Sequence, residues 1–394
     1  MTHLDQTADI IVIGAGIAGA SVAAELAAFS RVILLEREDQ PGYHATGRSA
    51  AYFSPAYGNA RVQALTAASE NFYKSPPKGF CETPLIHPRD ALHIAPEAHA
   101  DTLQEAISRT SRLRPLNIDK ALGMVPILRR DYVAGAAVET GGGDLDVDAI
   151  LSAYLRRFKQ RGGQLLVHHE VSSIHRSARG FSLDCGETQL SAPIVVNAAG
   201  AWADVVAEQA GLATLGLTPK RRTAFFVAAP KAHDISQWPL VINQADPLYF
   251  KPDAGQLLVS PMDETPSPAC DAAPDELDIA LAIAGLETST THQVRRVTHR
   301  WAGLRTFAED ETFVVGFDPL APGFFWLAGQ GGYGVQTAPA LSRLAASQIN
   351  DYLHEDLNAD LHAEPNSELR GDDFDSGLIN ALTPARFRPQ PTPR

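Results

Sequence analysis

The chain has 394 residues, of which 45% are hydrophobic and 20% are charged, and its formal net charge is −13. This composition predicts a globular protein with a large core, and the length suggests two domains. A strongly acidic chain lacks the basic face that nucleic-acid binding needs, so we expect no nucleic-acid partner.

The three cysteines, Cys81, Cys185 and Cys270, lie far apart and form neither a CxxC metal pair nor a disulfide framework. Because the first nine residues also carry no signal-peptide pattern, we expect a cytoplasmic location. No run of about 18 apolar residues occurs, so we expect no membrane span and leave peripheral membrane association open. The histidines show no ligand spacing, and no metal site is expected.

The first predicted unit is "DIIVIGAGIAGASVAAELAAFSRVILLERE", at residues 9–38. Apolar runs at 10–13 and 32–35 are typical of buried parallel strands, and the alanine-rich stretch 17–29 predicts a helix between them. The sequence therefore begins with a strand, a glycine turn, a helix and a second strand.

The glycine turn has the spacing G-x-G-x-x-G, formed by Gly14, Gly16 and Gly19. The first glycine allows a tight turn, the second lets a pyrophosphate approach the backbone, and the third lets the helix pack closely on the strand. The phosphates then lie at the helix N-terminus. Glu36 ends the second strand, where a carboxylate can accept hydrogen bonds from a ribose diol. Together these features predict a bound dinucleotide.

The remaining predicted elements alternate between strand and helix in part of the chain only. A doubly wound α/β layer is indicated by a helix at 148–161, strands at 164–167, 194–197 and 324–327, and a helix at 336–353. The segments 80–138 and 221–300 instead contain short alternating strands, many prolines and one amphipathic helix near 274–290. They predict an antiparallel sheet that is inserted twice into the α/β layer.

Two later glycine-containing turns favour FAD over NAD. "VVNAAGAWAD" (195–204) predicts a strand, a turn of small residues and a helix, and "WLAGQGGYGVQTAPA" (326–340) predicts a glycine-rich turn before a helix. A helix N-terminus at the second turn can stabilise negative charge on a reduced flavin. The polar loop around Arg48 and Ser49 can run along a pyrophosphate towards the flavin.

Several motifs now carry a family resemblance: "GYHATGRSAA", "LRRDYVAGA", "VVNAAGAWAD", "PKRRTAFF", "WAGLRTF" and "GQGGYGVQT". The chain resembles the D-amino-acid oxidase-like (DAO/glycine oxidase) family of FAD oxidoreductases up to about residue 350. It is most similar to the bacterial D-arginine/D-amino-acid dehydrogenase branch of that family.

The resemblance implies an α/β fold in which a Rossmann-like FAD-binding domain contains an inserted, mainly antiparallel α+β substrate-binding domain. The FAD-binding domain would comprise residues 1–79, 139–220 and 301–363, and the substrate-binding domain residues 80–138 and 221–300. Residues 364–394 are expected to form a loosely packed tail.

The resemblance also implies that FAD is bound without a covalent bond. His44 lies in the loop where some family members attach the flavin covalently, but this branch does not. The expected FAD-binding residues are Gly14, Gly16, Ile17, Ala18, Gly19, Glu36, Arg37, Arg48, Ser49, Ala50, Val171, Ala199, Gly200, Trp202, Gly303, Gly331, Gly332, Tyr333, Gly334 and Val335.

Two arginines match the positions that hold the substrate carboxylate in this family. They are Arg222 in "PKRRTAFF" and Arg305 in "WAGLRTF", with the neighbouring Arg221 as the alternative if the register differs. A guanidinium binds a carboxylate through two parallel hydrogen bonds and stays charged in a dry pocket. Three further positions match pocket residues of the branch: the hydroxyls of Tyr57 and Tyr249, and the backbone carbonyl of Gly332, which would accept a bond from the substrate amine.

Two departures from the branch concern the substrate side chain. Relatives that prefer D-arginine carry a glutamate where this chain has Ala91, and a histidine where it has Tyr52. Asp90 is one residue off, and neighbouring strand residues point to opposite faces. An unpaired cation in a closed pocket is costly, so we expect a neutral or apolar side chain.

The implied reaction is oxidative deamination of a D-amino acid. Hydride moves from Cα to flavin N5, and the resulting imino acid hydrolyses to a 2-oxo acid and ammonia. The alternatives are oxidation of an N-alkyl amino acid or a 2-hydroxy acid, or a D-arginine dehydrogenase. Branch resemblance favours a dehydrogenase that passes electrons to a quinone or another carrier, and an oxidase stays as the alternative.

Overall fold

The computed structural model describes residues 4–245, 248–355 and 374–388, which form 21 strands and nine α-helices. The strands are β1 (Leu4–Thr7), β2 (Ile10–Ile13), β3 (Val32–Leu35), β4 (Tyr52–Phe53), β5 (Ile86–Pro88), β6 (Ala91–Ala95), β7 (Leu113–Pro115), β8 (Gly135–Glu139), β9 (Gly143–Leu145), β10 (Gln164–Leu166), β11 (Ser173–Ser177), β12 (Gly180–Cys185), β13 (Thr188–Ala192), β14 (Ile194–Asn197), β15 (Thr218–Ala228), β16 (Leu240–Asn243), β17 (Leu248–Asp253), β18 (Gln256–Ser260), β19 (Val297–Phe307), β20 (Val314–Phe317) and β21 (Phe324–Ala328). The helices are α1 (Ile17–Leu26), α2 (Ala60–Lys74), α3 (Ala100–Arg109), α4 (Ile118–Met124), α5 (Val147–Gln160), α6 (Ala203–Gln209), α7 (Glu276–Ser289), α8 (Gly334–Glu355) and α9 (Ser376–Leu382).

A six-stranded sheet forms the centre of the α/β layer, in the order β10-β3-β2-β14-β21-β20. Its strands are parallel except for β20, which pairs antiparallel with β21. Strand residues alternate between the two faces, so both faces need apolar residues when both are covered. Ile10 and Val12 pack on the side of α1, α5 and α8, and Ile11 and Ile13 pack on the other side.

The other side of this sheet is covered by a second, four-stranded sheet in the order β1-β13-β12-β11, together with α6. Helices on one face and a small sheet on the other complete the Rossmann-like layers. The predicted fold class is therefore confirmed.

An eight-stranded mixed sheet, in the order β19-β15-β18-β17-β16-β6-β8-β7, draws its strands from residues 91–139 and 218–307. All neighbouring pairs are antiparallel except β16 and β6. One face packs on α4 and α7 through residues such as Leu92, Phe225 and Phe250. Strand alternation turns their neighbours His93, Ala224 and Tyr249 to the opposite face. We retain the division into FAD-binding and substrate-binding domains as a proposal.

The C-terminal tail packs more tightly than we expected over its described part, residues 374–388. Leu382 of α9 is fully buried, and the Arg388 guanidinium forms an ion pair with the buried Asp318. Arg386 donates to the backbone carbonyl oxygens of Thr312 at 2.9 Å and Phe313 at 3.1 Å. Loose packing therefore does not apply to these residues, and the rest of the predicted tail lies outside the described residues.

Within residues 4–245, 248–355 and 374–388, no helix is both long enough and apolar enough to cross a bilayer.

Candidate active site

The first of two cavities lies at the carboxyl ends of the parallel strands in the six-stranded sheet. It is lined by segments that follow β2, β3, β14 and β21, among them Gly14, Glu36, Ala199 and Gly331. Open α/β sheets bind ligands at this edge because the strand-to-helix turns converge there. The three glycine-containing turns of the sequence therefore meet around one cavity.

The first glycine turn is constrained by close backbone approaches. Gly14 has φ +98°, and a Cβ there would lie 2.7 Å from the carbonyl oxygen of Ala198. A Cβ at Gly19 would lie 1.8 Å from the carbonyl oxygen of Gly14, so α1 reaches the turn only with glycine there. Gly16 is different, because its Cβ would meet only the Thr46 hydroxyl, at 3.2 Å. Gly16 lines the cavity, as a residue that faces a pyrophosphate must.

The start of α1 is open to an anion. Its first turn holds no acidic residue, and its N-cap residue is Gly16, which has no side chain to cap it. The N–H of Ile17 donates to the Thr46 hydroxyl at 3.0 Å, which places that hydroxyl at the turn. Thr46 is a residue that our sequence analysis missed, although it lies inside "GYHATGRSAA".

Glu36 is buried and held in a fixed orientation. Its carboxylate accepts from the N–H of Ala15 at 3.0 Å and from the N–H of Glu38 at 3.1 Å. The side chain is 7% exposed and lines the cavity. A carboxylate oriented in this way can accept further bonds from a ribose, so the residues present fit a dinucleotide.

Along one wall of the cavity, the side chains of Arg37 and His44 both pack on the Trp202 ring. The Arg37 guanidinium lies 4.9 Å from the Trp202 ring centroid, and the His44 ring lies 4.6 Å from that of Trp202. His44 Nε2 is 2.8 Å from a carboxylate oxygen of Glu38. His44 therefore has a protein partner and acts in the packing of this wall.

Arg48 is used to fasten its loop to the rest of the protein. Its guanidinium donates to the carbonyl oxygen of Ala302 at 2.9 Å and forms an ion pair with Asp271 at 2.5 Å. The Trp301 indole N–H donates back to the Arg48 carbonyl at 3.1 Å. These contacts order the loop before Ser49 and Ala50, both of which line the cavity.

A second cavity adjoins the first. The residues that line both are Ser49, Ala50, Arg222, Tyr249, Arg305 and Gly332. Four of these six are residues that the family resemblance assigns to substrate, and Tyr57 lines the second cavity beside them. The structure thus brings the expected substrate residues together where the expected flavin cavity ends.

The two pocket arginines come from neighbouring antiparallel strands. Arg222 of β15 is paired with Gly303 of β19, and Arg305 lies two residues further along β19. Arg222 Nη2 pairs with Glu264 at 2.7 Å. Burial lowers the pKa of Arg222, and the positive charge of Arg305 lowers it further.

Arg305 has no carboxylate partner within the part of the chain that the structure describes. Its Nη1 donates to the Tyr57 hydroxyl at 3.3 Å. The Arg305 side chain is half-buried. A partly desolvated guanidinium with an open face favours an anionic partner, which compensates the loss of water around the charge. The family resemblance predicts the substrate carboxylate at this position, and that role stays a prediction.

Arg221 points away from the cavity. It forms ion pairs with Asp263 at 3.2 Å and with Asp278 of α7 at 2.7 Å. Strand alternation sends it to the α7 face of the sheet, together with Phe225. Of the two arginines that the sequence left open, Arg222 is therefore the one that faces the cavity.

Tyr57 and Gly332 complete the wall near Arg305. The Tyr57 ring lies 4.7 Å from the Tyr333 ring in an edge-on arrangement. A Cβ at Gly332 would lie 2.9 Å from Arg305 Nη1, so a side chain there would displace the guanidinium. Gly332 therefore lets the backbone approach Arg305 closely.

Two of the predicted site residues do not reach a cavity surface as expected. Ala91 is fully buried, does not line the second cavity, and packs with Leu240 and Tyr249. Its methyl group is too short to pass these larger side chains, so its assignment as a pocket-lining residue needs this correction. Tyr333 contacts Tyr57 but does not line the first cavity.

Other predicted residues are found at the cavities. Tyr52 lines the second cavity, and its hydroxyl donates to the Arg89 carbonyl at 2.7 Å. Burial, and then the negative charges of Glu139 and Asp144, raise the pKa of Tyr52. Apart from Tyr333 and the packing glycine Gly19, the expected FAD set lines the first cavity: Gly14, Gly16, Ile17, Ala18, Glu36, Arg37, Arg48, Ser49, Ala50, Val171, Ala199, Gly200, Trp202, Gly303, Gly331, Gly332, Gly334 and Val335. The roles of these residues stay predictions.

Several charged or polar residues that line the second cavity were not assigned to the site in the sequence analysis, among them His93, Glu139 and Lys251. All three follow the strand alternation that turns Tyr249 to this face of the sheet. The signal in the sequence was the polar residue inside each apolar run, as in "ALHIA" and "YFK".

The chain is similar to known flavoproteins in both sequence and fold. A family model described as DAO, FAD dependent oxidoreductase, matches residues 9–348. The chain belongs to this family. The fold is similar to glycine oxidase from Geobacillus kaustophilus, with a TM-score of 0.76, 22% identity, and coverage of 88% of this chain and 95% of that one. It is also similar to L-proline dehydrogenase from P. horikoshii, with a TM-score of 0.77, 19% identity and coverage of 98% of both chains.

A relative in sequence is the FAD-dependent oxidoreductase domain-containing protein 1 of Xenopus laevis. The two chains are 28% identical over 212 residues. That match covers 49% of this chain and 40% of the relative. The family match makes the chain a DAO-family FAD-dependent oxidoreductase. The expected D-arginine/D-amino-acid dehydrogenase branch is not confirmed.

We expect FAD to be held without a covalent bond. His44, which lies in the loop that carries the covalent link in some relatives, is paired with Glu38. Acid precipitation of the purified yellow protein should release the dinucleotide into the supernatant. Flavin that stays on the pellet would contradict the prediction of non-covalent binding. Well-folded protein without flavin would contradict the assignment of the first cavity to FAD.

Proposed function

We propose that this protein is a D-amino-acid dehydrogenase of the DAO family, with FAD as its redox cofactor. The observation that supports it most strongly is the Arg305 guanidinium, which lacks a carboxylate partner among the described residues and lies where the two cavities meet. The D configuration and the dehydrogenase branch rest on the sequence motifs alone.

The proposed site binds the substrate carboxylate between the arginines. Arg305 and Arg222 supply charge-assisted N–H donors. The Tyr57 hydroxyl accepts from Arg305 and keeps its own proton to donate to a carboxylate oxygen. Held at this end, the substrate presents its Cα to the first cavity.

The chain supplies orientation and a dry, charge-complementary pocket rather than a nucleophile. The backbone carbonyl of Gly332 would accept a hydrogen bond from the substrate amine, which must be neutral before the C–H bond breaks. When bound, FAD supplies the two-electron acceptor for the hydride that leaves Cα. The substrate becomes an imino acid, and water then converts it to a 2-oxo acid and ammonia. No protein base is required, because the amine can lose its proton to solvent before the hydride moves.

The experiment that tests this proposal is anaerobic bleaching of the visible flavin bands. We expect neutral D-amino acids to reduce the flavin faster than their L-enantiomers and faster than D-arginine. Reduction of the same sample by dithionite provides the control for a competent flavin. Reduction by N-methyl amino acids or 2-hydroxy acids, with none by primary amino acids, would contradict the proposal and favour the alternative substrates.

The electron acceptor is a separate part of the proposal. We propose a quinone or another carrier rather than dioxygen. The substrate-reduced flavin should reoxidise slowly in air-saturated buffer and rapidly with an artificial quinone. Fast reoxidation by dioxygen alone would instead define an oxidase.

A further inference from the structure

One end of the second cavity is lined by polar residues that take no part in the proposed carboxylate binding by Arg222 and Arg305. Glu139 of β8 and His93 of β6 both line it. Glu139 is paired directly opposite Ala91, and His93 opposite Ala137, so both side chains lie on the cavity face. Position 91 carries no carboxylate in this chain, but Glu139 on the adjacent strand β8 brings one to the same face of the sheet.

Glu139 is a buried carboxylate with no lysine or arginine partner among the described residues. Its side chain is 2% exposed. Oε1 accepts from the Ser54 hydroxyl at 2.8 Å and from the N–H of Ala56 at 2.9 Å. Oε2 has only a longer contact with the same hydroxyl, at 3.1 Å. Since each carboxylate oxygen can accept about two hydrogen bonds, Oε2 keeps capacity for another donor.

His93 has one satisfied nitrogen and one open nitrogen. Its Nδ1 lies 3.0 Å from Nε2 of Gln244. An amide N–H donates, so Nδ1 accepts, and the neutral ring then carries its proton on Nε2. That Nε2 is buried without a hydrogen-bond partner within the described chain. It lies 3.8 Å from Glu139 Oε2, which is too far for a direct hydrogen bond.

The end of the cavity therefore presents one donor, His93 Nε2–H, beside one acceptor, Glu139 Oε2. We propose that this pair recognises a carboxamide at the end of the substrate side chain, as in glutamine. The carboxamide oxygen would accept from His93 while its N–H donates to Glu139. This inference rests on the proposed function, because it names the side-chain class for the same site.

Other side chains fit this pair less well. An aliphatic group would leave His93 Nε2–H without a partner and Glu139 Oε2 with only its longer Ser54 contact. An acidic group would face the negative Glu139. Lys251 gives it no compensation, because the lysine already pairs with Asp144 at 2.7 Å and with Asp253 at 3.4 Å. A cationic group could pair with Glu139, but it would also face the His93 N–H, which is a donor and offers it no acceptor.

Binding of achiral ligands to the FAD-loaded protein tests this recognition without turnover. Glutaramate has a carboxylate and a carboxamide but no amine, and glutarate and 5-methylhexanoate have the same shape with an acidic or an apolar end. We expect glutaramate to perturb the flavin spectrum with a dissociation constant at least about tenfold below the other two. Equal or tighter binding of 5-methylhexanoate, glutarate or the cationic 5-aminopentanoate would overturn the inference.

Two variants should remove this preference. Glu139→Gln keeps an oxygen for the N–H of Ala56 but can present an amide N–H to the ligand, and His93→Leu removes the donor. In each variant the preference for glutaramate over 5-methylhexanoate should fall by about tenfold. The exposed Glu187→Gln and His175→Leu are matched controls and should keep it. Unchanged preference in both pocket variants would overturn the assignment.

Turnover separates this inference from the proposed function. D-glutamine should exceed D-glutamate and D-homoleucine in kcat/KM by at least about tenfold. If amino acids reduce the flavin but D-homoleucine is preferred, only the carboxamide inference fails. If no amino acid reduces the flavin, the proposed function fails, whereas the ligand titration still decides whether Glu139 and His93 recognise a carboxamide.

Discussion

Replacing Arg305 by methionine should leave FAD bound and lower kcat/KM roughly 30- to 5,000-fold. This corresponds to a loss of about 2–5 kcal/mol in transition-state stabilisation. Methionine fills similar volume but cannot pair with a carboxylate. The loss should be large because Arg305 is the pocket cation without a carboxylate partner in the described residues, so the substrate would be its main anionic contact. Steady-state kinetics with the best substrate of the reduction panel would measure this.

Arg222→Met should have a smaller effect than Arg305→Met. Arg222 already donates to Glu264 at 2.7 Å and to the Asp263 carbonyl at 2.9 Å, so fewer of its donors are free. Arg221→Met serves as the neighbouring control, because Arg221 pairs with Asp278 on the α7 face and should leave kcat/KM near its original value. A larger loss in Arg221→Met than in Arg305→Met would contradict the assignment of the carboxylate site. Flavin content of each variant must be measured alongside, since loss of FAD would imitate loss of catalysis.

The dinucleotide part of the site could be predicted because local sequence encodes it. Gly14, Gly16, Gly19 and Glu36 lie within one strand-turn-helix-strand unit, and backbone geometry itself requires glycine at Gly14 and Gly19. The alternating strands and helices of the six-stranded sheet were predictable for the same reason. A hydrophobic period of about two or 3.6 residues fixes which side is buried.

The substrate part depends on pairing between distant strands, which the sequence encodes weakly. Arg222 could be preferred over Arg221 because alternation in β15 puts Arg221 on the same face as the buried Phe225. Ala91 was assigned to the pocket by matching one strand only. The residue that reaches the cavity, Glu139, is its partner across the β6–β8 ladder, and 48 positions separate the two in sequence. Strand order in a sheet is a long-range property, so local periodicity could not predict this neighbour.

Gly19→Ala should prevent stable FAD binding and destabilise the fold by about 3 kcal/mol or more. The added Cβ would lie 1.8 Å from the Gly14 carbonyl oxygen, which is backbone and cannot rotate away. Relief requires α1 to move off the glycine turn. That movement would displace the helix N-terminus, where the pyrophosphate is expected, and would open the buried contacts of Ala20 and Ala23. Thermal unfolding and the ratio of flavin to protein after purification would measure both losses.

Substitutions at two other glycines distinguish loss of folding stability from loss of FAD binding. In Gly16→Ala, the added methyl group would contact only the Thr46 hydroxyl, at 3.2 Å, so the protein should keep most of its thermal stability. The same methyl group should obstruct the pyrophosphate and weaken FAD binding. Gly123→Ala, at an exposed position in α4 with no atom within 4 Å of the added carbon, should change neither property adversely. The expected order is therefore loss of fold and flavin at Gly19, loss of flavin at Gly16, and neither at Gly123. If Gly19→Ala instead retained FAD and stability as Gly123→Ala does, the close approach of α1 to the glycine turn would be refuted, and with it the cofactor site built on that turn.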